Sequence, residues 1–188
     1  DQVMSALNVD EKAAENYVPF GCGELVINHA SVGTPNALLN VLKLLSISLN
    51  AGIDPFDGVD RSNGVKLRPA SAMGSFEDVF AQYTALLAKY FDDCAKFHWR
   101  SYEIMNEQCD FLLMSLLTND CVENGKTILK GGVRYLGGTS ETYGNINAAD
   151  SLTAIKKVVF EEGRYTLEQV VEACNANFEG RAELRRAL

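Results

Sequence analysis

Hydrophobic and polar positions along this chain follow two different periods. Tyr17–Phe20 is short, aromatic and β-branched and runs into Gly21-Cys22-Gly23, which predicts a strand ending in a tight, exposed turn. Leu25-Val26-Ile27 reads as a second short strand or as the wall of the same loop. Upstream, Asp1–Leu7 is a plausible helix, and Asp10–Glu15 resembles a helix start whose acidic residues suit the positive end of the dipole. The most apolar run, Ala37–Leu49, is broken by Asn40, Lys43, Ser46 and Ser48 and reads as a buried helix. Thr34-Pro35 supplies an N-cap and first position, because proline pre-sets φ and lacks an N–H that would be unsatisfied there. The spacing therefore predicts a helix from Asn36 to about Asn50, stopped by Gly52.

Ile53–Gly74 carries no period and is rich in Gly, Pro, Asp and Ser, so it is expected to be a long connection or surface excursion. Ser75 with Asp78 resembles a capping box opening a long helix, with apolar positions at Phe76, Val79, Phe80, Tyr83, Leu86, Leu87 and Tyr90, continuing to about Met105. Phe111–Leu117 has the length of a packed two-turn helix. Glycines at 131, 132, 137, 138 and 144 punctuate a segment without periodicity. An amphipathic helix marked by Asp150, Leu152, Ile155 and Val158 ends near Gly163, and Thr166 with Gln169 caps a last one through about Asn177. Helices interspersed with strand-turn-helix passages suggest α/β layering.

Composition narrows the classes. The chain has 188 residues, 47% of them hydrophobic, enough for one domain with a core and too apolar for disorder. A net charge of -8 with no basic stripe argues against a nucleic-acid partner, whose phosphates need neutralising. No apolar stretch reaches membrane-spanning length, so no membrane partner is expected. Five cysteines at wide, irregular spacing, with no secretory signal, suggest reduced thiols and a cytoplasmic location. The chain opens on Asp1 rather than Met, so a preceding segment is expected.

Two regions are richest in chemistry: Tyr17–Glu24 and Gly131–Asp150. Glycines on both sides of Cys22 allow a sharp turn and leave room for a ligand near the sulfur, and Glu24 follows two positions on. A structural thiol is one reading of Cys22. A Cys–His hydrolase is another, with His29 the only nearby histidine, but an extended segment points residues 22 and 24 one way and His29 the other. Cys94 and His98 share a helix face and could be half a metal site, without a second ligand pair at a characteristic spacing, or could pack in a core near Phe97 and Trp99. Tyr143 and Asn145 either face a pocket or cap a turn.

Ala14–Glu24, with its Gly21-Cys22-Gly23-Glu24, resembles the active-site cysteine loop of the glycyl radical enzymes, the pyruvate formate-lyase family, where Gly-Cys-x-Glu recurs. Asn36–Asp54 resembles the helix that follows. Lys130–Tyr135 with Asn145–Phe160, and Asn177–Gly180, are similar to later family blocks, all in family order. The resemblance implies an α/β fold: a helix-rich, internal part of a ten-stranded β/α barrel spanning residues 1–188, with the glycyl radical domain outside this chain. It implies Cys22 as the thiyl residue and Glu24 as the acid/base group, and no bound cofactor or metal. It further implies a protein glycyl radical elsewhere, installed by a radical S-adenosylmethionine activating enzyme. A small-molecule substrate, the remaining polypeptide or a complementary chain, and a homodimer at full length are the expected partners.

Within the family, Glu24 after the cysteine is similar to the branch of dehydratases, other carbon–heteroatom lyases and decarboxylases rather than to pyruvate formate-lyase proper. Gly23 stands where Val is more usual and Leu25 where Pro often follows, which leaves the substrate open. The radical motif Arg-Val-x-Gly-aromatic is absent. Arg134-Tyr135-Leu136-Gly137 mimics it loosely and reads as a turn. The competing class is a non-catalytic helical interaction module with a structural Cys22.

Overall fold

A computed structural model describes residues 8–21, 24–33 and 36–188. The expected helix at Asp1–Leu7 and cap at Thr34-Pro35 lie outside the described residues. The chain forms two compact units, one containing residues up to Ala37 together with Asp93–Glu141, the other Leu38–Asp92 and Thr142–Leu188.

The first unit carries the cysteine-loop region. A single helical turn, α1 (Glu11–Ala14), is capped by Asp10, whose Oδ1 accepts the Ala13 N–H at 2.8 Å. Strands β1 (Tyr17–Phe20) and β2 (Glu24–Ile27) then pair antiparallel, with Tyr17 opposite Ile27 and Phe20 opposite Glu24. An isolated two-stranded hairpin is marginal in water, so its stability comes from what it packs on. Ile27, 2% exposed, joins Ala13 and Ala30 in a small cluster against Val9 and Tyr135. The hairpin's base is also tied to a segment a hundred residues on: Tyr135 N–H donates to Ala30 O at 3.0 Å, and Tyr135 O–H to Asp10 Oδ2 at 3.1 Å.

β3 (Asn36–Asn40) spans the division of the chain at Ala37 and leads into α2 (Val41–Leu49) of the second unit. Here the expectation of a helix from Asn36 is corrected: the helix starts five residues later. Asn40 is extended, with φ -85° and ψ 93°, and its Oδ1 accepts the Lys43 N–H at 2.9 Å, so the asparagine is the N-cap. The preceding apolar residues are a strand that pairs with β4 (Thr139–Tyr143). A short apolar run fits either state by periodicity, and a pairing partner a hundred residues away has no local signal.

The long helix α3 (Phe76–Gln108) has 33 residues, about 50 Å at 1.5 Å per residue. Its start matches the expected capping box: Ser75 Oγ accepts the Asp78 N–H at 3.1 Å, and Asp78 Oδ2 accepts the Ser75 N–H at 3.2 Å. In the second unit its buried Val79, Tyr83 and Leu86, at i, i+4, i+7, meet Leu44, Leu45 and Ile47 of α2 in the largest core. Polar groups in that core are paired: Gln82 donates to Ser48 O and Arg68 O and accepts the Arg68 N–H, and Tyr83 O–H donates to Val41 O.

α4 (Leu112–Leu117) forms where a short helix is expected but is not packed within its unit. Leu112, Leu113, Met114, Leu116 and Leu117 are each more than half exposed, and only Ser115 is buried. The serine points inward because its Oγ accepts the Ile128 N–H at 2.9 Å and donates to Phe111 O at 3.0 Å. α5 (Asn145–Ile155) continues as a π-helical turn, Lys156–Glu161, and α6 (Leu167–Asn175) opens with the anticipated Thr166–Gln169 capping box. A final short helix, α7 (Ala182–Ala187), had no sequence signal of its own.

Candidate active site

The candidate site is built on the tip of the β1–β2 hairpin. Cys22 and Gly23 lie outside the described residues. Glu24, the other expected site residue, opens β2 and is 7% exposed. Gly21 precedes the cysteine with φ +55°, a left-handed conformation that glycine adopts freely. A Cβ placed on Gly21 would lie 2.7 and 2.9 Å from the two carboxylate oxygens of Glu24. The glutamate side chain therefore folds back across the tip and occupies the space that a side chain at position 21 would fill.

Gly33 closes over the same hairpin. A Cβ there would approach the Phe20 ring at 2.8 Å and Val26 Cγ2 at 3.0 Å. Phe20 is the cross-strand partner of Glu24, and Val26 shares a strand face with Glu24, so the main chain at Gly33 lies on the glutamate's side. On the other face, Leu25 and Ile27 line a cleft of about 480 Å³ together with Tyr135, Gly137 and Thr139. The strand's alternation turns Glu24 away from that cleft, so the cleft and the glutamate serve different surfaces.

His29 does not face the hairpin tip. It sits at the base, with φ 58°, where its Nδ1 lies 3.1 Å from Leu117 O. Gly131-Gly132 form the turn that delivers Arg134 and Tyr135 to this base, with Arg134 bonded to Asp120 through two contacts of 2.9 and 3.1 Å. The cysteine-loop and Lys130–Tyr135 motifs are thus neighbours in one unit. Asn145–Phe160 and Leu49–Asp54 belong to the other unit. The contact of His29 with Leu117 and the approach of Gly33 left no mark in the sequence, since both join segments whose register depends on the folded chain.

The remaining residues singled out have structural settings. His98 is 6% exposed and packs under Gly138, whose Cβ would lie 2.6 Å from the His98 Nδ1, whereas Phe97 and Trp99, expected beside it in a core, are exposed because they lie on other faces of the helix. Among the described residues no group of three or more His, Cys, Asp or Glu could hold a metal ion. Burial, helped by the neighbouring carboxylates Asp93 for the one and Asp120 and Glu123 for the other, pushes the thiols of Cys94 and Cys121 up from their ordinary values. Asn145 caps a turn by donating to Thr142 Oγ1 at 2.8 Å, and Tyr143 is 53% exposed. No described helix is long and apolar enough to cross a membrane.

Comparison with known proteins gives this geometry a family. The pyruvate formate lyase-like family model matches residues 1–188. The trans-4-hydroxy-L-proline dehydratase of Clostridioides difficile is 30% identical over 142 residues, covering 76% of this chain and 18% of that protein. The indoleacetate decarboxylase of Tractidigestivibacter scatoligenes is 30% identical over 172 residues, 88% of this chain and 18% of that protein. A crystal structure of hydroxyproline dehydratase from Clostridioides difficile, with trans-4-hydroxy-L-proline bound, superposes with a TM-score of 0.88 at 26% identity, covering 97% of this chain and 23% of that one. The chain spans about a fifth of the length of these curated relatives. On the whole-chain match and the relatives it shares, this chain belongs to the pyruvate formate lyase-like family of glycyl radical enzymes.

Proposed function

We propose that this chain is the part of a glycyl radical lyase that carries its reacting cysteine, Cys22, and its acid/base group, Glu24. The observation that supports this is the burial of Glu24 against Gly21, two residues past the cysteine of a Gly-Cys-x-Glu loop.

The glycyl radical, carried outside this chain and installed by a radical S-adenosylmethionine activase, supplies the oxidising equivalent. Cys22 gives up the hydrogen atom of its S–H bond, and the sulfur then takes one from a C–H bond of a small substrate. That exchange is reversible because the two bonds are similar in strength, so the S–H bond formed with the substrate's hydrogen breaks again when that hydrogen returns to the product radical. Glu24, shielded from water, holds the proton that a departing group takes or gives up as a C–C, C–O, C–N or C–S bond breaks. Gly21 leaves the space in which that carboxyl sits.

The exposed apolar side of α4 fits a piece of a larger structure, with the remaining barrel strands and the radical domain supplied by the rest of the polypeptide or a complementary chain. The whole protein is then a cytoplasmic homodimer acting in anaerobic metabolism, and this chain alone is inactive.

The test is to express the whole protein anaerobically with its activase and record an EPR spectrum and turnover. A glycyl doublet is expected, retained in Cys22→Ser while turnover disappears. Absence of the doublet, or full activity in Cys22→Ser, overturns the reading in favour of a non-catalytic interaction module.

A further inference from the structure

Gly21 does more than turn the chain, and this inference rests on the role proposed for Glu24. A turn at φ +55° requires only a residue that tolerates the left-handed region, and asparagine is among the side chains that enter it most readily. The space around Gly21 is what asparagine would not respect. Both Glu24 carboxylate oxygens and Cδ, at 2.7, 2.9 and 3.1 Å, crowd the position of a Cβ. Because both oxygens are involved, rotating the carboxyl group about its own axis exchanges one overlap for the other. The carboxyl is the far end of a flexible side chain, so it gives way to an added Cβ by leaving this position.

We infer that Gly21 is a positioning residue: the absence of its side chain forms the seat of the Glu24 carboxyl and fixes where that group stands at the start of β2. Any side chain at 21 displaces the carboxyl, even where the turn itself survives. The consequence falls on the proton held by Glu24 rather than on the hydrogen atom exchanged at sulfur.

The test uses the full-length enzyme with its radical installed, comparing Gly21→Ala, Gly21→Asn, Glu24→Asp and Gly21→Ala/Glu24→Asp. Both position-21 variants should keep the EPR doublet and lose about 100-fold in kcat, the scale of a misplaced general acid or base, with an altered pH profile. Shortening the glutamate withdraws its carboxyl from the added methyl, so the double variant should recover activity relative to Gly21→Ala. Thermal unfolding gives a readout independent of turnover: Gly21→Ala should lower Tm more in the native background than in Glu24→Ala. Equal Tm losses in the two backgrounds, or Gly21→Asn with native kcat and pH profile, overturn the inference. If instead Glu24→Gln turns over normally, the acid/base reading of Glu24 falls, while the unfolding comparison still decides whether Gly21 seats its carboxyl.

Discussion

The Nδ1 of His29 lies 3.1 Å from the carbonyl oxygen of Leu117, and the His29 carbonyl in turn accepts the Asn119 N–H at 2.8 Å. A carbonyl only accepts, so Nδ1 carries the proton. This reciprocal pair clips the base of the cysteine-loop hairpin to the end of α4, a segment with few other buried side chains to hold it. His29→Ala should lower stability by about 1 kcal/mol, one net hydrogen bond, and should speed amide exchange at Asn119. His29→Asn keeps a residue suited to φ 58° and should cost less. Unchanged exchange in His29→Ala would remove the clip.

The two glycines of the Gly131-Gly132 turn should respond unequally. Gly131 has φ +80° but open space around it, so Gly131→Ala should cost about 1 kcal/mol of left-handed strain. A Cβ on Gly132 would sit 2.3 Å from the Lys126 carbonyl oxygen and 2.8 Å from that of Thr127, and main chain cannot swing aside as a side chain can. Gly132→Ala should therefore cost about 3 kcal/mol or more. Chemical denaturation of both variants checks the order, and a reversed order would contradict the turn geometry.

Asp54 gives the second unit an acid-sensitive lock. Its side chain is 4% exposed and ion-paired to Lys43 and Arg61. The hydrogen bond from Lys43 is the main cause holding its carboxyl below the usual range, with smaller help from the Phe56 N–H and Arg61 against the opposing effect of burial. A carboxylate favoured in the folded state contributes fully above its unfolded value, about 4, and loses that contribution as pH falls toward its lower folded value. Asp54→Asn should lower stability at neutral pH and flatten the decline in acid. A variant whose stability falls below pH 4 as steeply as the native chain's would refute this.

The α4 surface should make this chain self-associate. Five large apolar side chains more than half exposed on a six-residue helix form a patch that water disfavours. Leu113→Glu with Leu116→Glu should shift the chain toward monomer in sedimentation, with stability changed by about 0.5 kcal/mol or less, as for exposed sites. Identical association in the variant would place the contact elsewhere.

Sequence alone determined the elements whose signals are local. The Tyr17–Phe20 strand and its glycine turn, the Ser75–Asp78 and Thr166–Gln169 caps, and the long amphipathic α3 each rest on residues within a few positions of one another, where propensity and hydrogen bonding act without help from the rest of the chain. The Gly-Cys-x-Glu motif is contiguous, so the resemblance it carries could be noticed in the sequence. Tertiary structure decided whatever depends on distant partners. It made Asn36–Asn40 a strand, because β4 offers an edge that no local pattern announces, and it left α4 uncovered while turning Ser115 inward to meet Ile128. It also brought the Lys130–Tyr135 motif to the base of the hairpin and packed the Glu24 carboxyl against Gly21. Spacing can place a glycine beside a cysteine, but only the folded hairpin shows that the missing Cβ is the space a carboxylate occupies.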